Sequence, residues 1–291
     1  MQNDIISRLQ KHYPDSQIRL IGAGWSSDAF ETGNKIIRVP KAGTEQYEKE
    51  VLILDFLQGR LPVQIPHPKL VKEHDFIFAE HIKITGNAWN IASYEALSEK
   101  NQDLFASDIA HFFAVLHAIP VDEIYRHIPK NRLEPYALDD LSCFKQALKS
   151  DFDEADIVML YNASKQILAL SSFPVLVHKD FWKSNVLVDD NHRLSGVFDW
   201  ANACIGNREW DFKTLYHATY LPLLEKILNF YKQETAYHIT IHDIQMLKSA
   251  DSLLCVQYFI QNPHLKDTMP TEWQKSLNQV RAALSQIKNK I

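Results

Sequence analysis

His178, Asp180, Asn185 and Asp199 sit among apolar residues in the segment FPVLVHKDFWKSNVLVDDNHRLSGVFDW, positions 173–200. A charged or amide side chain placed between such strand-forming residues is costly to half-bury unless it has a hydrogen-bonding or ligand role. Asp180 and Asn185 stand five apart on one loop, and Asp199 follows 14 residues later. If they converge, two carboxylates and one amide oxygen offer hard oxygen ligands for Mg2+, with one carboxylate left to orient a hydroxyl. Those are the parts that phosphoryl transfer needs. Any one of these residues alone reads as a turn or cap residue; the set at this spacing reads as a site.

The elements that must position this set divide the chain in two. Residues 17–21, 28–31 and 35–39 read as three short strands, punctuated by Gly22 and Gly24 and then by Gly33-Asn34, a tight-hairpin signal. From Thr44 to Leu57 the apolar residues Tyr47, Val51, Leu54 and Leu57 recur at helical spacing, and further strands are expected at 69–72 and 76–82. A small sheet with one helix follows. Beyond Gly86 the helical period dominates, over 103–118, 139–170, 214–232, 243–261 and 271–288. Strand-like runs at 175–177, 185–188 and 194–198, with a turn at Asp189 to His192, interrupt this helical lobe where the polar set lies. Short rigid strands there can aim the polar residues.

Composition bounds the alternatives. The chain has 291 residues, 46% hydrophobic and 23% charged, which suits one large or two modest globular domains. With 31 Lys plus Arg against 36 Asp plus Glu, a net charge of -5 and no basic tract, binding to nucleic acid is not expected. No apolar run approaches the roughly 18 residues of a membrane span, and MQNDIISRLQ lacks a signal-peptide core. A cytoplasmic monomer without a membrane partner is the expectation. Three cysteines, far apart and odd in number, suit neither a disulfide framework nor a zinc site.

HKDFWKSN, read as H-x-D-x-x-x-x-N, with the strand-end Asp of GVFDW, is similar to the catalytic loop and metal-binding Asp of the protein-kinase-like superfamily. Trp200 after that Asp, and Asp211 in IGNREWDF, resemble the aminoglycoside phosphotransferase family more specifically. HFFAVLHAIP, residues 111–120, also resembles that family's helix ending in Leu-His, and the chain length suits the 2''-phosphotransferase branch. The resemblance implies an α+β, bilobal, protein-kinase-like fold. Residues 1–82 would form a nucleotide-binding lobe of five antiparallel strands and a helix, 79–84 the hinge, and 83–291 a mainly helical lobe with the catalytic loop at 178–185.

It also implies roles. Asp180 would be catalytic, Asn185 and Asp199 would hold Mg2+, and the cosubstrate would be ATP or GTP. In GAGWSSDAF, Gly22 and Gly24 with the Ser26 and Ser27 hydroxyls would cover the phosphates, although Ser27 stands where protein kinases have a third glycine. Arg38 occupies the position of the phosphate-binding lysine, and Glu50 that of the helix glutamate that holds it. Lys35 and Lys41 fall on the other face of the strand by alternation. Glu80, His81 and Ile82 would offer backbone groups to a purine. His178 would brace the loop and Asp211 tie it down, while Lys183 would either reach the transferred phosphoryl group or stay solvated.

The acceptor implied is a small-molecule hydroxyl, first an aminoglycoside in a resistance-type reaction. Choline, a fructosamine, homoserine or a macrolide are alternatives on the same scaffold, and a nucleotide-binding protein without catalysis is a third reading. The intact Asp180, Asn185 and Asp199 set argues against the third. Charge divides the first two. A polycation asks for a carboxylate-lined cleft, yet from Phe212 onward six acids face nine basic residues, whereas Glu134 to Asp156 holds seven acids and two lysines.

Overall fold

A computed structural model describes residues 2–23, 27–41, 43–73, 76–135, 137–169, 171, 173–216 and 220–288. The chain opens with helix α1 (Gln2–His12), and strands β1 (Arg19–Ala23), β2 (Ser27–Thr32) and β3 (Lys35–Pro40) follow. The loop joining β2 to β3 is two residues long, because Thr32 pairs with Lys35. Gly33 makes that turn in the left-handed region, at φ 55°. Helix α2 (Glu45–Leu57) crosses to β4 (Lys69–Glu73) and β5 (Phe76–Ile82), completing an antiparallel sheet in the order β1-β2-β3-β5-β4.

Period-two alternation sends the two faces of this sheet to different tasks. Phe30, Ile37, Val39 and Phe78 form a small core under α1, whose Leu9 is fully buried. On the other face Ala29, Arg38 and Ala79 are aligned by the strand register and line a cavity. Small side chains on either side of Arg38 leave room for its guanidinium.

The second lobe begins with β6 (Asn87–Ala88), α3 (Ile91–Glu95), α4 (Glu99–His117), α5 (Val121–His127), α6 (Leu141–Leu148) and α7 (Glu154–Leu168). The expected single helical stretch over 139–170 is therefore two helices. Asp153, in extended conformation, stands at the N-terminal boundary of the second without a capping bond from its side chain. Strands β7 (Val175–Val177), β8 (Val186–Val188), β9 (Leu194–Val197) and β10 (Cys204–Gly206) precede α8 (Glu209–Lys213) and α9 (Leu221–Thr235). Helices α10 (Ile241–Gln261), α11 (Leu265–Thr268) and α12 (Pro270–Lys288) close the chain. The helix expected from Thr214 starts instead at Leu221, with Pro222 in its first turn, where a missing N–H costs nothing.

Strands β8 and β9 form the expected hairpin, with β6 added to its edge, while β7 pairs with β10. Phe112, Phe113, Phe181, Trp200 and Phe212 pack together between α4 and this strand region, so the 178–185 loop rests on a rigid aromatic floor. Gly86 lies where β6 begins. A Cβ there would meet Ser195 Oγ at 2.7 Å and Leu187 Cβ at 2.9 Å, and its φ of 147° is one that side chains rarely adopt. Only glycine lets the chain leave the sheet and pass this close to the hairpin. Among the described residues no single helix is long and apolar enough to cross a membrane.

Candidate active site

The loop after β7 turns sharply because Lys179 takes a left-handed φ of 66°, a conformation costing roughly 1 kcal/mol or more for a residue with a Cβ. Asp211, fully buried in α8, holds it there. Its Oδ1 accepts the Lys179 N–H at 2.6 Å, and its Oδ2 accepts the His178 N–H at 3.2 Å and bonds His117 Nε2 at 2.9 Å. His117 Nδ1 lies 2.8 Å from the Tyr231 hydroxyl, so a buried chain of hydrogen bonds anchors the turn from below. Burial lowers the pKa of His117 despite Asp211, which keeps its imidazole neutral.

Replacing Asp211 by alanine removes the acceptor of two backbone N–H groups and one imidazole, all of them buried. The expected loss is at least about 3 kcal/mol by chemical denaturation, since bonds to a charged acceptor contribute about 1.5–3 kcal/mol each and their donors would be left unpaired. Turnover should fall with it. Wild-type stability in that variant would mean that the turn is held by other contacts.

His178 ties the two halves of the site together. Its Nδ1 accepts the Asp180 N–H at 3.2 Å, so Nε2 carries the proton that it gives to the Phe198 carbonyl at 3.2 Å. Burial lowers its pKa and keeps it neutral. One ring thus fixes both the residue that begins the loop and the residue before Asp199. Asn185 completes the loop: its Nδ2 donates to the Asp180 carbonyl at 2.9 Å, and its own carbonyl accepts the Phe198 N–H at 3.0 Å. With the NH2 engaged, the amide oxygen is assigned as the end available to a cation; the Ser184 hydroxyl approaches it at 3.3 Å.

Asp180 is half-buried, and its Oδ2 accepts from Asn202 Nδ2 at 3.4 Å. Burial raises its pKa, with His178 opposing and Asp199 adding to the rise. Asp199 follows β9, also left-handed at φ 66°. The next N–H, of Trp200, donates to Glu50 Oε1 at 3.1 Å.

Arg38 joins the two lobes. Its Nη1 is shared between both oxygens of Glu50 at 2.8 Å, and its Nη2 reaches Asp199 Oδ1 at 3.2 Å. Burial alone would lower the guanidinium pKa, but Glu50 and Asp199 overrule it and raise it further. Burial pushes the Glu50 carboxyl up, with Arg38 opposing. The group lies in a cavity of about 340 Å3 between the sheet and the β8–β9 hairpin, lined also by Gly22, Ser27, His81, Leu187 and Phe198.

Residues 17–238 match the sequence profile of the phosphotransferase enzyme family. The chain belongs to that family. Solved structures agree on the fold of this phosphotransferase. The ADP-bound aminoglycoside phosphotransferase APH(2'')-Ib aligns with a TM-score of 0.75 at 22% identity, over 98% of this chain and 99% of that one. The streptomycin–ATP ternary complex of APH(2'')-IIa aligns at 0.70 and 22% identity, over 96% of each chain. The macrolide 2'-phosphotransferase MphH from Brachybacterium faecium, without ligands, aligns at 0.62 and 14% identity, over 95% and 98%. The bilobal kinase-like architecture expected from HKDFWKSN and GVFDW is the architecture of the phosphotransferase, which is a small-molecule kinase by family.

The remaining expected residues fall into place unevenly. Gly24 and Ser26 lie outside the described residues. Glu80 turns its side chain to the α1 face, where it accepts from Lys35 Nζ at 2.8 Å and from the Tyr13 hydroxyl, so its carboxylate is engaged away from the cavity that Arg38 lines. Ile82 is exposed, and its carbonyl accepts from its neighbour's ring, His81 Nδ1, at 2.8 Å. Lys41 Nζ pairs with Asp28 at 3.1 Å, so it and Lys35 are both engaged away from Arg38. Lys183 is exposed in the loop. Three of the seven acids of the 134–156 segment are held in ion pairs: Glu154 by Lys145 at 2.7 Å, Asp156 by Lys288 at 2.7 Å and Asp151 by Arg281 at 3.5 Å. Asn202 and Tyr231 went unread in the sequence, and His117 entered only as the end of the Leu-His helix, because nothing in the spacing separates the first two from ordinary polar and helical positions.

Proposed function

We propose that this phosphotransferase moves the γ-phosphoryl group of ATP or GTP directly onto a hydroxyl of a small molecule, with Asp180 orienting that hydroxyl and accepting its proton. The observation that carries the reading is the Arg38 fork, which joins the sheet, the helix carboxylate Glu50 and the loop carboxylate Asp199 in one cavity beside the catalytic loop. In this reading residues 1–82 bind the nucleotide, with backbone groups of the 79–84 hinge near the base, Gly22 and Ser27 beside the phosphates and Arg38 steadying their charge.

The donor set fits a hard dication. Among the described residues no group of three or more His, Cys, Asp and Glu side chains forms a self-contained metal cage. Asp199 and the Asn185 amide oxygen instead supply two oxygen ligands of the kind Mg2+ takes when phosphates complete its shell. When bound, Mg2+ would neutralise phosphate charge. The residues do the rest: His178 and Asp211 keep Asp180 and Asp199 in register, and in-line transfer needs no covalent enzyme intermediate.

Nucleotide binding tests this reading. ATP or GTP with Mg2+, at about a hundredfold over its Kd, should raise the melting temperature by roughly 5 °C, as about 2.7 kcal/mol of linkage stabilisation predicts. No shift with either nucleotide would end the proposal. An aminoglycoside acceptor draws support from the compounds bound in the neighbouring structures. The engaged acids of the 134–156 segment give it none.

A further inference from the structure

A second cavity, of about 420 Å3, opens on the other side of the catalytic loop, among α8, α10 and α12. Trp182, two residues after Asp180, forms part of its wall with Lys213, Gln245, Lys248, Asp251 and Gln279. Its position relative to the loop is fixed, because Thr214, also in the wall, donates its hydroxyl to the Phe181 carbonyl at 2.6 Å. The nucleotide cavity is lined by Leu187, Phe198 and Asp199, so the two cavities flank the Asp180 loop.

We propose that the acceptor lodges in this second cavity and that it is a hydroxyl-rich molecule without net positive charge, neutral or bearing one acidic group, rather than a polycation. The inference rests on the phosphotransferase reading and adds the substrate class to it.

Charge is the first argument. Asp251 is the only carboxylate among the described lining residues, and it is spent on Lys213 at 2.5 Å. That leaves the Lys248 ammonium uncancelled. Lys248 donates to the Tyr216 carbonyl at 2.8 Å and lies 5.1 Å from the centre of the Tyr216 ring, which fixes it at the rim. A molecule carrying several ammonium groups would meet like charge here with no free carboxylate among the described lining residues, and such juxtaposition is what excludes a wrong partner.

Hydrogen-bonding capacity is the second. The side-chain amides of Gln245 and Gln279 make no hydrogen bond among the described residues, and Gln286 uses only its oxygen, accepting from Ser249 Oγ at 2.5 Å. Each amide offers both donor and acceptor, the complement of a hydroxyl, and the half-buried Trp182 ring offers a flat apolar face. Neutral amides beside an aromatic ring suit a polyhydroxylated ring compound, and Lys248 can take one acid on it.

Calorimetry on the Mg-ADP-loaded protein, with kanamycin and gentamicin as polycationic probes, decides the matter. Wild type should bind both more weakly than about 1 mM, and the Lys248→Glu, Gln245→Glu double variant at least about tenfold more tightly at low salt, a gain lost at about 0.5 M salt. Micromolar binding of either probe by wild type would overturn the charge class. Unchanged weak binding by the variant would overturn the siting, and the Mg-ADP thermal shift of that variant confirms that it is folded. Failure of wild type to bind ATP or GTP at all would instead strike the phosphotransferase reading, which this titration leaves separate.

Discussion

Replacing Asp180 by alanine should lower kcat by about 10²–10⁴-fold, the range that a positioned proton acceptor contributes, while nucleotide binding stays within a few-fold of wild type. The separation follows from geometry. Asp180 has its carbonyl tied to Asn185 and its carboxylate to Asn202, with no contact to Arg38, whereas Asp199 takes Arg38 directly. Asp199→Ala should therefore lose nucleotide affinity as well as turnover. The pH profile should carry the same signature. Burial raises the Asp180 carboxyl, so the active carboxylate is lost as pH falls at a point above the ordinary aspartate range, and that acid limb should vanish in Asp180→Ala. Stability has the opposite sign. A carboxyl whose folded-state pKa is raised favours the fold below its unfolded pKa, and that benefit is gone once pH has risen through the folded value. At neutral pH the buried carboxylate is a burden, and Asp180→Ala should melt no lower than wild type. Full turnover by the purified variant would remove Asp180 from the chemistry.

Much of this site was legible because its parts are local. His178, Asp180, Asn185 and Asp199 lie on one loop and hairpin, and strand β5 was legible over its whole length in the run FIFAEHI. Helix α1 was missed although Ile5, Ile6 and Leu9 carry the spacing, since its partner face appears only when Phe30, Ile37 and Phe78 are assembled. Strands β6 and β10, of two and three residues, exist because β8 and β7 pair with them, and nothing within so few residues signals that. The break between α6 and α7 was hidden by apolar residues on both sides that continue the helical period and pack into one cluster. The second cavity was illegible for a deeper reason. Its wall draws on residues 182, 213–216, 245–252 and 279–286, and their meeting is a consequence of helix packing, which composition reports only as a regional surplus of basic residues.

Arg38 should prove harder to replace than its kinase-like role suggests. Arg38→Ala strands Glu50, only 5% exposed, with the Trp200 N–H as its remaining hydrogen-bond donor among the described residues and with burial already pushing its carboxyl up. Breaking one side of such a buried pair costs about 3–5 kcal/mol, so the variant should be visibly destabilised in denaturant as well as lose at least about a hundredfold in kcat/KM. Arg38→Lys tests the fork itself. An ammonium restores the charge, but a single nitrogen cannot copy a planar group whose Nη1 holds Glu50 while Nη2 holds Asp199. Its expected place is between the two, about tenfold down in kcat/KM, with most of the stability kept because the Glu50 charge is again paired. Adding Glu50→Gln to Arg38→Ala should recover part of the lost stability and none of the activity, since the amide removes the buried charge without replacing the cation. Wild-type efficiency in Arg38→Ala would move the phosphate-binding role to another cation of the cavity. Lys83, ion-paired with Glu31 at 2.5 Å, is the candidate, because it lines that cavity while Lys35 and Lys41 do not.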